Sequence, residues 1–250
     1  MNGEQMEQER AYKRFLELAR RAERCYAEQY TRFLDPAGRE TALRAADEAG
    51  ISVLFWGGYS DAERVMACFG AETPVEWPIT WLKLGFNPRY GMPGHRDILG
   101  ALMGLGVVRE HLGDIVLDTD CAYLCCSEEI APFLQNNLES AGSVHLKLTR
   151  LDEPPHLPPP VGKMIRTTVA SPRLDAMLAA GFDLSREQAR QMVIQGKTRV
   201  NYRLQVKPDA GLQEGDLVSV RGLGRFKLME NNGTTRKGRD SMTLFRYGGR

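Results

Sequence analysis

Apolar residues spaced three or four apart open the chain. Tyr12, Phe15, Ala19, Ala22, Tyr26 and Tyr30 recur among charges, so residues 4–30 are expected to form one long amphipathic helix with an aromatic core stripe. Asp35-Pro36 then supplies an N-cap and a first-turn proline for a second helix, which Gly50 should end. Residues 51–55 read as a strand. Ser60-Asp-Ala-Glu63 has capping-box spacing, so a third helix is expected from there to about Gly70.

The next eighty residues change period repeatedly. A strand over 79–86, a helix over 97–105, strands over 114–117 and 121–126, a helix over 128–140 and a strand over 144–151 give the order β-α-β-β-α-β. That order is the ferredoxin-like arrangement shared by RNA-recognition domains. The third strand carries Tyr123 alone where such domains place several aromatics, which argues against base stacking across this sheet. Asp152-Glu-Pro-Pro-His-Leu-Pro-Pro-Pro160 follows and reads as a semi-rigid spacer, on the order of 28 Å if fully extended.

Beyond the prolines, 163–169 reads as a short strand. Ser171-Pro172 should cap a helix that turns Leu174, Met177 and Leu178 inward until Gly181 stops it. Ser185-Arg-Glu-Gln188 is a second capping box. It opens a helix with Ala189, Val193 and Ile194 toward the core and Arg186 and Arg190, four apart, on the other face. Gly196 should close that helix as a left-handed cap. A strand over 198–206, the pair Gly215-Asp216, a strand over 217–221, the turn Gly222-Leu-Gly224 and a strand over 225–229 complete two short helices on a small twisted sheet.

Charge sharpens this division. Residues 161–250 hold 17 Lys/Arg against 8 Asp/Glu, an excess of +9, while residues 1–160 hold 16 against 24, or −8. Such asymmetry, hidden under a net charge of +1, is the footprint of a polyanion-binding domain joined to something else. Arg173, Arg186, Arg190, Lys197 and Arg199 are expected to converge on one edge, where the positive end of the second helix adds backbone donors for phosphate. Five phosphate contacts would give a log–log salt slope of roughly −4 to −5.

Composition limits the other classes. At 250 residues and 42% hydrophobic content the chain is long enough for two domains, and no apolar run approaches a membrane span. The N-terminus Met1-Asn2-Gly3-Glu4 leads into charges rather than a signal peptide, so a cytoplasmic protein with no membrane partner is expected. A monomer is expected as well. Five cysteines lack any CxxC pair, and three lie in Cys121-Ala-Tyr-Leu-Cys-Cys126. They read as buried thiols of a reducing compartment, and no metal or cofactor is expected.

Two resemblances follow from these residues. Arg173-Leu-Asp-x-x-Leu178, Ser185-Arg-x-x-Ala189, Ile194-x-Gly196, Val200-Asn201 and Gly215-Asp216-x-Val218 resemble the S-four-type, or alpha-L, RNA-binding domain. That resemblance implies RNA contacts by Arg173, Ser185, Arg186, Lys197, Arg199 and Asn201, with Arg190, Arg225 and Lys227 as further cations of the module. Tyr202-Arg203 stands where the family often has a glycine after the asparagine. Gly57-Gly-Tyr-Ser-Asp-Ala-Glu-Arg64, His95-Arg-Asp-Ile-Leu-Gly-Ala-Leu-Met-Gly-Leu-Gly106, Arg109, Gly113-Asp114-Ile115 and Arg221-Gly-Leu-Gly-Arg-Phe-Lys-Leu228 are similar to the bacterial YlmH family over nearly the whole length. This implies a non-enzymatic protein that binds rRNA or tRNA on large ribosomal subunits stalled with peptidyl-tRNA, assisting C-terminal tailing during quality control.

The expected fold class is therefore α+β. It comprises an N-terminal helical and αβ region over 1–72, a ferredoxin-like (RRM-like) domain over 73–151, a proline-rich linker over 152–162 and an S-four-type domain of two helices on a small sheet over 163–250.

Enzymatic motifs fare less well. His95-Arg-Asp97 has the letters of a kinase catalytic loop, but Leu102 stands at the metal-binding asparagine position and no glycine-rich phosphate loop precedes it. His95 and Arg96 are instead candidates for a second contact with RNA or another ribosomal surface. Arg173-Leu-Asp175 resembles the catalytic aspartate motif of pseudouridine synthases, yet only 75 residues follow it, too few for the catalytic fold. An RNA-modifying enzyme or accessory subunit of that type is the alternative reading.

Overall fold

The proline-rich stretch divides the molecule. In the computed structural model, which describes residues 3–70, 76–235 and 238–248, Met1–Pro158 forms one unit and Pro159–Arg250 another. Among the described residues no helix is long and apolar enough to cross a membrane.

The first unit begins with α1 (Gly3–Cys25), β1 (Gln29–Tyr30), α2 (Pro36–Ala49), β2 (Val53–Trp56) and β3 (Met66–Phe69). Phe15, Ala19 and Ala22 of α1 meet Ala42, Ala45 and Ala46 of α2, small side chains that let the two helices approach closely over Ala67 and Phe69. Asp35 caps α2 by accepting from the Gly38 N–H at 2.7 Å, and Gly50 ends it with φ 69°. Helix α1 stops five residues short of the expected end. The Ala27 N–H closes back onto the Ala22 carbonyl, Tyr26 turns outward at φ 49°, and Tyr30 becomes a strand residue opposite Cys68.

The helix expected after Ser60 does not form. Residues 60–64 form an irregular turn, and Met66–Phe69 is the central strand of the order β1-β3-β2, buried at all four positions. Two long-range demands outweigh the local capping signal. The Asp114 carboxylate captures the Glu63 and Arg64 N–H groups at 2.7 and 3.2 Å, and the Met-Ala-Cys-Phe run completes a ladder on both edges.

The unit continues with β4 (Ile79–Gly85), α3 (His95–Gly104), β5 (Leu112–Leu117), β6 (Cys121–Ser127), α4 (Ala131–Asn137), β7 (Ser140–Ala141), β8 (Val144–His145) and β9 (Lys147–Leu151). The sheet β5-β6-β4-β9 is antiparallel throughout and joined in the split-βαβ order read from the sequence. Strand β9 and the hairpin β7–β8 divide the single strand expected over 144–151. One sheet face packs Leu82, Leu84 and Leu124 against Ile98 and Leu102 of α3 and Leu134 of α4.

The other face of this sheet is covered around Trp81 and Cys125, while Lys83, Val116 and Tyr123 stay half-buried and Thr149 exposed. Trp81 and Cys125 pack with Phe33 and Met66 from the N-terminal segment, and Tyr59, Tyr123, Leu151 and Leu157 lean on the same cluster. Gly58 makes the approach possible: at φ 89° a Cβ would lie 2.8 Å from Cys125 Sγ and 2.9 Å from Trp81. Segments 1–72 and 73–151 thus share one core, and Leu157 ties part of the expected spacer to it. Burial pushes the Cys126 thiol up to about 12 and the Cys125 thiol well above its ordinary value, so both remain protonated at neutral pH.

The second unit runs β10 (Gly162–Val169), α5 (Leu174–Phe182), α6 (Arg186–Ile194), β11 (Thr198–Val200), β12 (Arg203–Leu204), β13 (Leu217–Val220), β14 (Gly224–Thr234) and β15 (Asp240–Tyr247). These strands form one six-stranded sheet in the order β10-β15-β14-β13-β11-β12. Strand β15 is absent from the sequence-based expectation. It joins β10 to β14 and buries Met242, Thr243 and Leu244.

Helices α5 and α6 cover one sheet face through Leu174, Met177, Leu178, Ala189 and Val193 over Val218, Phe226 and Leu228. Gly181 does not stop α5. It sits inside the last turn because a Cβ there would lie 2.8 Å from the Phe226 ring, and the helix ends instead at Asp183, φ 57°. Ile194, expected in the core, is 50% exposed at the end of α6.

Candidate RNA-binding face

Arg173 is the N-cap residue of α5, and no side chain caps the helix there; Ser171, the expected cap, instead accepts the Arg173 N–H through its carbonyl. This placement sets the arginine beside an acid of the same first turn. Asp175, only 7% exposed, receives Arg186 Nη2 of α6 at 3.0 and 3.1 Å and lies 3.5 Å from Arg173 Nε. One buried carboxylate thereby holds two arginines from different helices, each still about half exposed at its side chain. The pairing costs part of the positive charge but fixes where the remainder points, lowering the entropy lost when a phosphate is engaged.

The capping box that opens α6 is present as expected. Ser185 Oγ accepts from the Gln188 N–H at 3.1 Å, and Gln188 Oε1 accepts from the Ser185 N–H at 2.9 Å. The Arg186 and Glu187 N–H groups of the first turn lie outside this exchange and point along the positive end of the helix. Arg190 is exposed and has no ion pair among the described residues. Gly196, at φ 67°, ends the helix and brings Lys197 to the start of β11, where its backbone is fixed by the Met192 and Arg221 chain.

The nine candidate cations and polar groups do not form one cluster. Arg173, Ser185, Arg186 and Arg190 lie on the helices, with Lys197 in the turn after the C-terminal end of α6. Alternation along the strands sends Arg199, Arg225 and Lys227 to the opposite sheet face, since Thr198, Phe226 and Leu228 occupy the helix-covered side. Arg199 and Arg225 flank Ser219 across β11, β13 and β14, and the Arg225 guanidinium stacks 4.6 Å from the Tyr247 ring centroid. The expectation that Arg199 shares an edge with the helix arginines is corrected by this register.

Asn201 has a structural duty as well. The strand expected over 198–206 breaks into a hairpin at Asn201 and Tyr202, both at positive φ (49° and 67°), the signature of a type I′ turn. Asn201 Nδ2 donates to Asp216 at 2.7 Å and its Oδ1 accepts the Leu217 N–H at 3.0 Å, while buried Tyr202 anchors the second turn position. The turn thus forms without the family's glycine. Asp175 stood in the motif read from the sequence, but its role as the anchor of two arginines did not. Its signal was an acid in a first turn two residues after an arginine.

In the first unit, three of the motifs that carried the full-length resemblance, around Gly57–Arg64, Arg109 and Gly113-Asp114, converge on one buried clamp. Tyr59 Oη donates to Asp114 at 2.8 Å, Arg64 Nε donates to the Leu112 carbonyl at 2.8 Å, and Arg109 Nη1 donates to the Leu112 and Gly113 carbonyls. Arg64 Nη2 also reaches the Phe33 and Arg109 carbonyls. These residues join the N-terminal sheet to the ferredoxin-like sheet. His95 and Arg96 lie elsewhere, at the first turn of α3, where Asp97 accepts the Gly94 N–H at 2.8 Å.

Comparison with known proteins places each segment. The family described as "YlmH, N-terminal" matches residues 7–72, "Putative RNA-binding domain in YlmH" matches 73–153, and "S4 domain" matches 172–218. A solved structure, the cell division protein ylmH from Streptococcus pneumoniae, aligns with 58% of this chain and 91% of its own at 21% identity and a TM-score of 0.49. The ribosome-associated protein quality control protein P2 of Bacillus subtilis (strain 168) is 34% identical over 241 residues, 93% of this chain and 94% of that protein. On that identity and coverage, and with family matches spanning both units, the chain belongs to the YlmH family.

Proposed function

We propose that this protein grips structured RNA of the large ribosomal subunit, rRNA or the tRNA held there, as a monomer in the cytoplasm and without catalysis. It acts in quality control of subunits stalled with peptidyl-tRNA. The observation that carries the reading is the pinned pair Arg173 and Arg186 on Asp175, beside Arg190 and the open first turn of α6, within the segment that matches an S4 domain. A relative covering almost the whole chain bears a ribosome-associated quality control name, which supports the ribosomal setting. Asp175, the residue that the pseudouridine-synthase alternative would need as a catalyst, is held by two arginines and serves as their anchor.

The test is sedimentation of the purified full chain with separated bacterial ribosomal subunits through a sucrose gradient. The protein is expected to travel with large subunits and to leave them as salt rises from about 50 to about 200 mM, because counterion release dominates phosphate contacts. Equal association with both subunits, or association insensitive to salt, contradicts the reading.

A further inference from the structure

The central segment matches a family described as a putative RNA-binding domain, yet Phe33, Met66, Tyr59 and Leu157 cover the Trp81 and Cys125 part of the sheet face that RNA-recognition domains use for stacking. That leaves less of the sheet for stacked bases and favours a surface on the neighbouring loops. The connection from β4 to α3, Asn87-Pro-Arg-Tyr-Gly-Met-Pro-Gly94, offers one. Tyr90 is 78% exposed and Met92 59% exposed, and Arg89 and Arg96 precede and follow them in the chain, both exposed and without an ion pair among the described residues.

The loop is built rather than loose. Asn87 Oδ1 accepts the Arg89 N–H at 3.1 Å, and the Tyr90 and Gly91 N–H groups return to the Asn87 and Pro88 carbonyls. Gly91 fits against Val144 of β8, where a Cβ would approach its methyl to 3.2 Å, which brings the loop to the hairpin that carries exposed His145. Beside Arg96 lies a cavity of about 600 Å³ between α3 and the end of α4, lined by Asp97, Asn137, Ser140 and Gly142. Its carboxylates are Asp97, already accepting from Gly94, and Glu139.

We infer that residues 87–96 form a second RNA contact, in which an unpaired base stacks on Tyr90 while Arg89 and Arg96 hold the flanking phosphates. An exposed aromatic ring with exposed arginines before and after it in the chain supplies the two groups that single-stranded nucleic acid recognises, since every base has a π-face and every step a phosphate. The inference deepens the proposed function and rests on it. It separates the roles of the units: the helix face of the second grips, and this loop reads an exposed base.

The test is ultraviolet crosslinking of the full chain to deproteinised large-subunit rRNA, followed by nuclease and trypsin digestion and mass spectrometry. Nucleotide adducts are expected on the peptide Tyr90-Gly-Met-Pro-Gly-His-Arg96 as well as on peptides of the second unit. Tyr90→Ala should remove the first set and weaken affinity about 5- to 100-fold, with Tyr90→Phe restoring it. Arg89→Ala with Arg96→Ala should make the salt slope shallower by roughly 1.4. All three positions are exposed, and unchanged thermal unfolding of each variant checks that the fold is intact.

Adducts on the second unit alone, with Tyr90→Ala binding as the parent does, overturn this inference and leave the proposed function standing. Absence of adducts and of binding altogether overturns both. Loop variants that lose intact large subunits but bind deproteinised rRNA normally place a ribosomal protein at the loop, and that also overturns the inference.

Discussion

Replacing Arg186 and Arg190 together by glutamate is expected to weaken binding to large-subunit RNA by roughly 2–4 kcal/mol, or about 30- to 1,000-fold, taking about 1–2 kcal/mol for each charge-assisted hydrogen bond. The log–log salt slope should become shallower by about 2, one for each phosphate that no longer meets an arginine. The two positions differ in kind. Arg190 is an exposed cation, so Arg190→Glu alone acts on RNA and leaves the fold untouched. Arg186 also neutralises Asp175, which is 7% exposed, so Arg186→Glu brings a like charge to a buried carboxylate and loosens α5 against α6 as well. Fluorescence anisotropy with labelled rRNA, run beside thermal unfolding, separates the two effects. Arg190→Glu binding as the parent does would remove α6 from the RNA face.

The largest stability effect is expected at Asp114. Its carboxylate is 3% exposed and accepts from Tyr59 Oη, the Glu63 N–H and the Arg64 N–H, holding the turn that feeds β3. Asp114→Ala leaves three donors without their acceptor in a closed interior, which should cost about 3–5 kcal/mol. Chemical denaturation of the full chain should then show the first unit melting early while the second keeps its own transition. Asp114→Asn retains one acceptor oxygen and should lose less. A midpoint unchanged in Asp114→Ala would show that the clamp contributes nothing to stability.

These two sites were legible to different degrees. Caps are local chemistry, so Asp35, Gly50, the Ser185–Gln188 exchange and Gly196 could be placed from sequence and stand where spacing put them. The βαββαβ order was readable because its strands and helices switch period cleanly. Ser60-Asp-Ala-Glu63 has the same local chemistry as a true capping box, but Asp114, some fifty residues away, takes the N–H groups such a helix would need. Gly181 illustrates the same limit. A glycine near a helix end reads as a stop, whereas here it makes room for Phe226, a partner beyond the reach of any local pattern.

The layout of the candidate RNA face was less legible than the caps. Arg186 and Arg190 could be grouped because helical spacing fixes their direction, whereas Arg173 joins them through Asp175, a contact between two helices. Arg199, Arg225 and Lys227 belong to strands, where one residue of register sends a side chain to the other face, and the register was set by β13 and the unread β15. Asn201 had the residue type of an RNA-binding position and is committed to Asp216 and Leu217. Charge counting therefore pointed to the unit that carries the S4 match, while distributing those charges over two faces required the sheet.

The division of labour between the units implies a single direct measurement. Crosslinking the protein to RNA in living bacteria, with peptide-level mapping of the adducts, names the RNA and the surface together. Adducts should concentrate within residues 163–228, led by the helix face of Arg173, Arg186 and Arg190, on large-subunit rRNA or tRNA. Adducts confined to residues 1–150 would contradict the account.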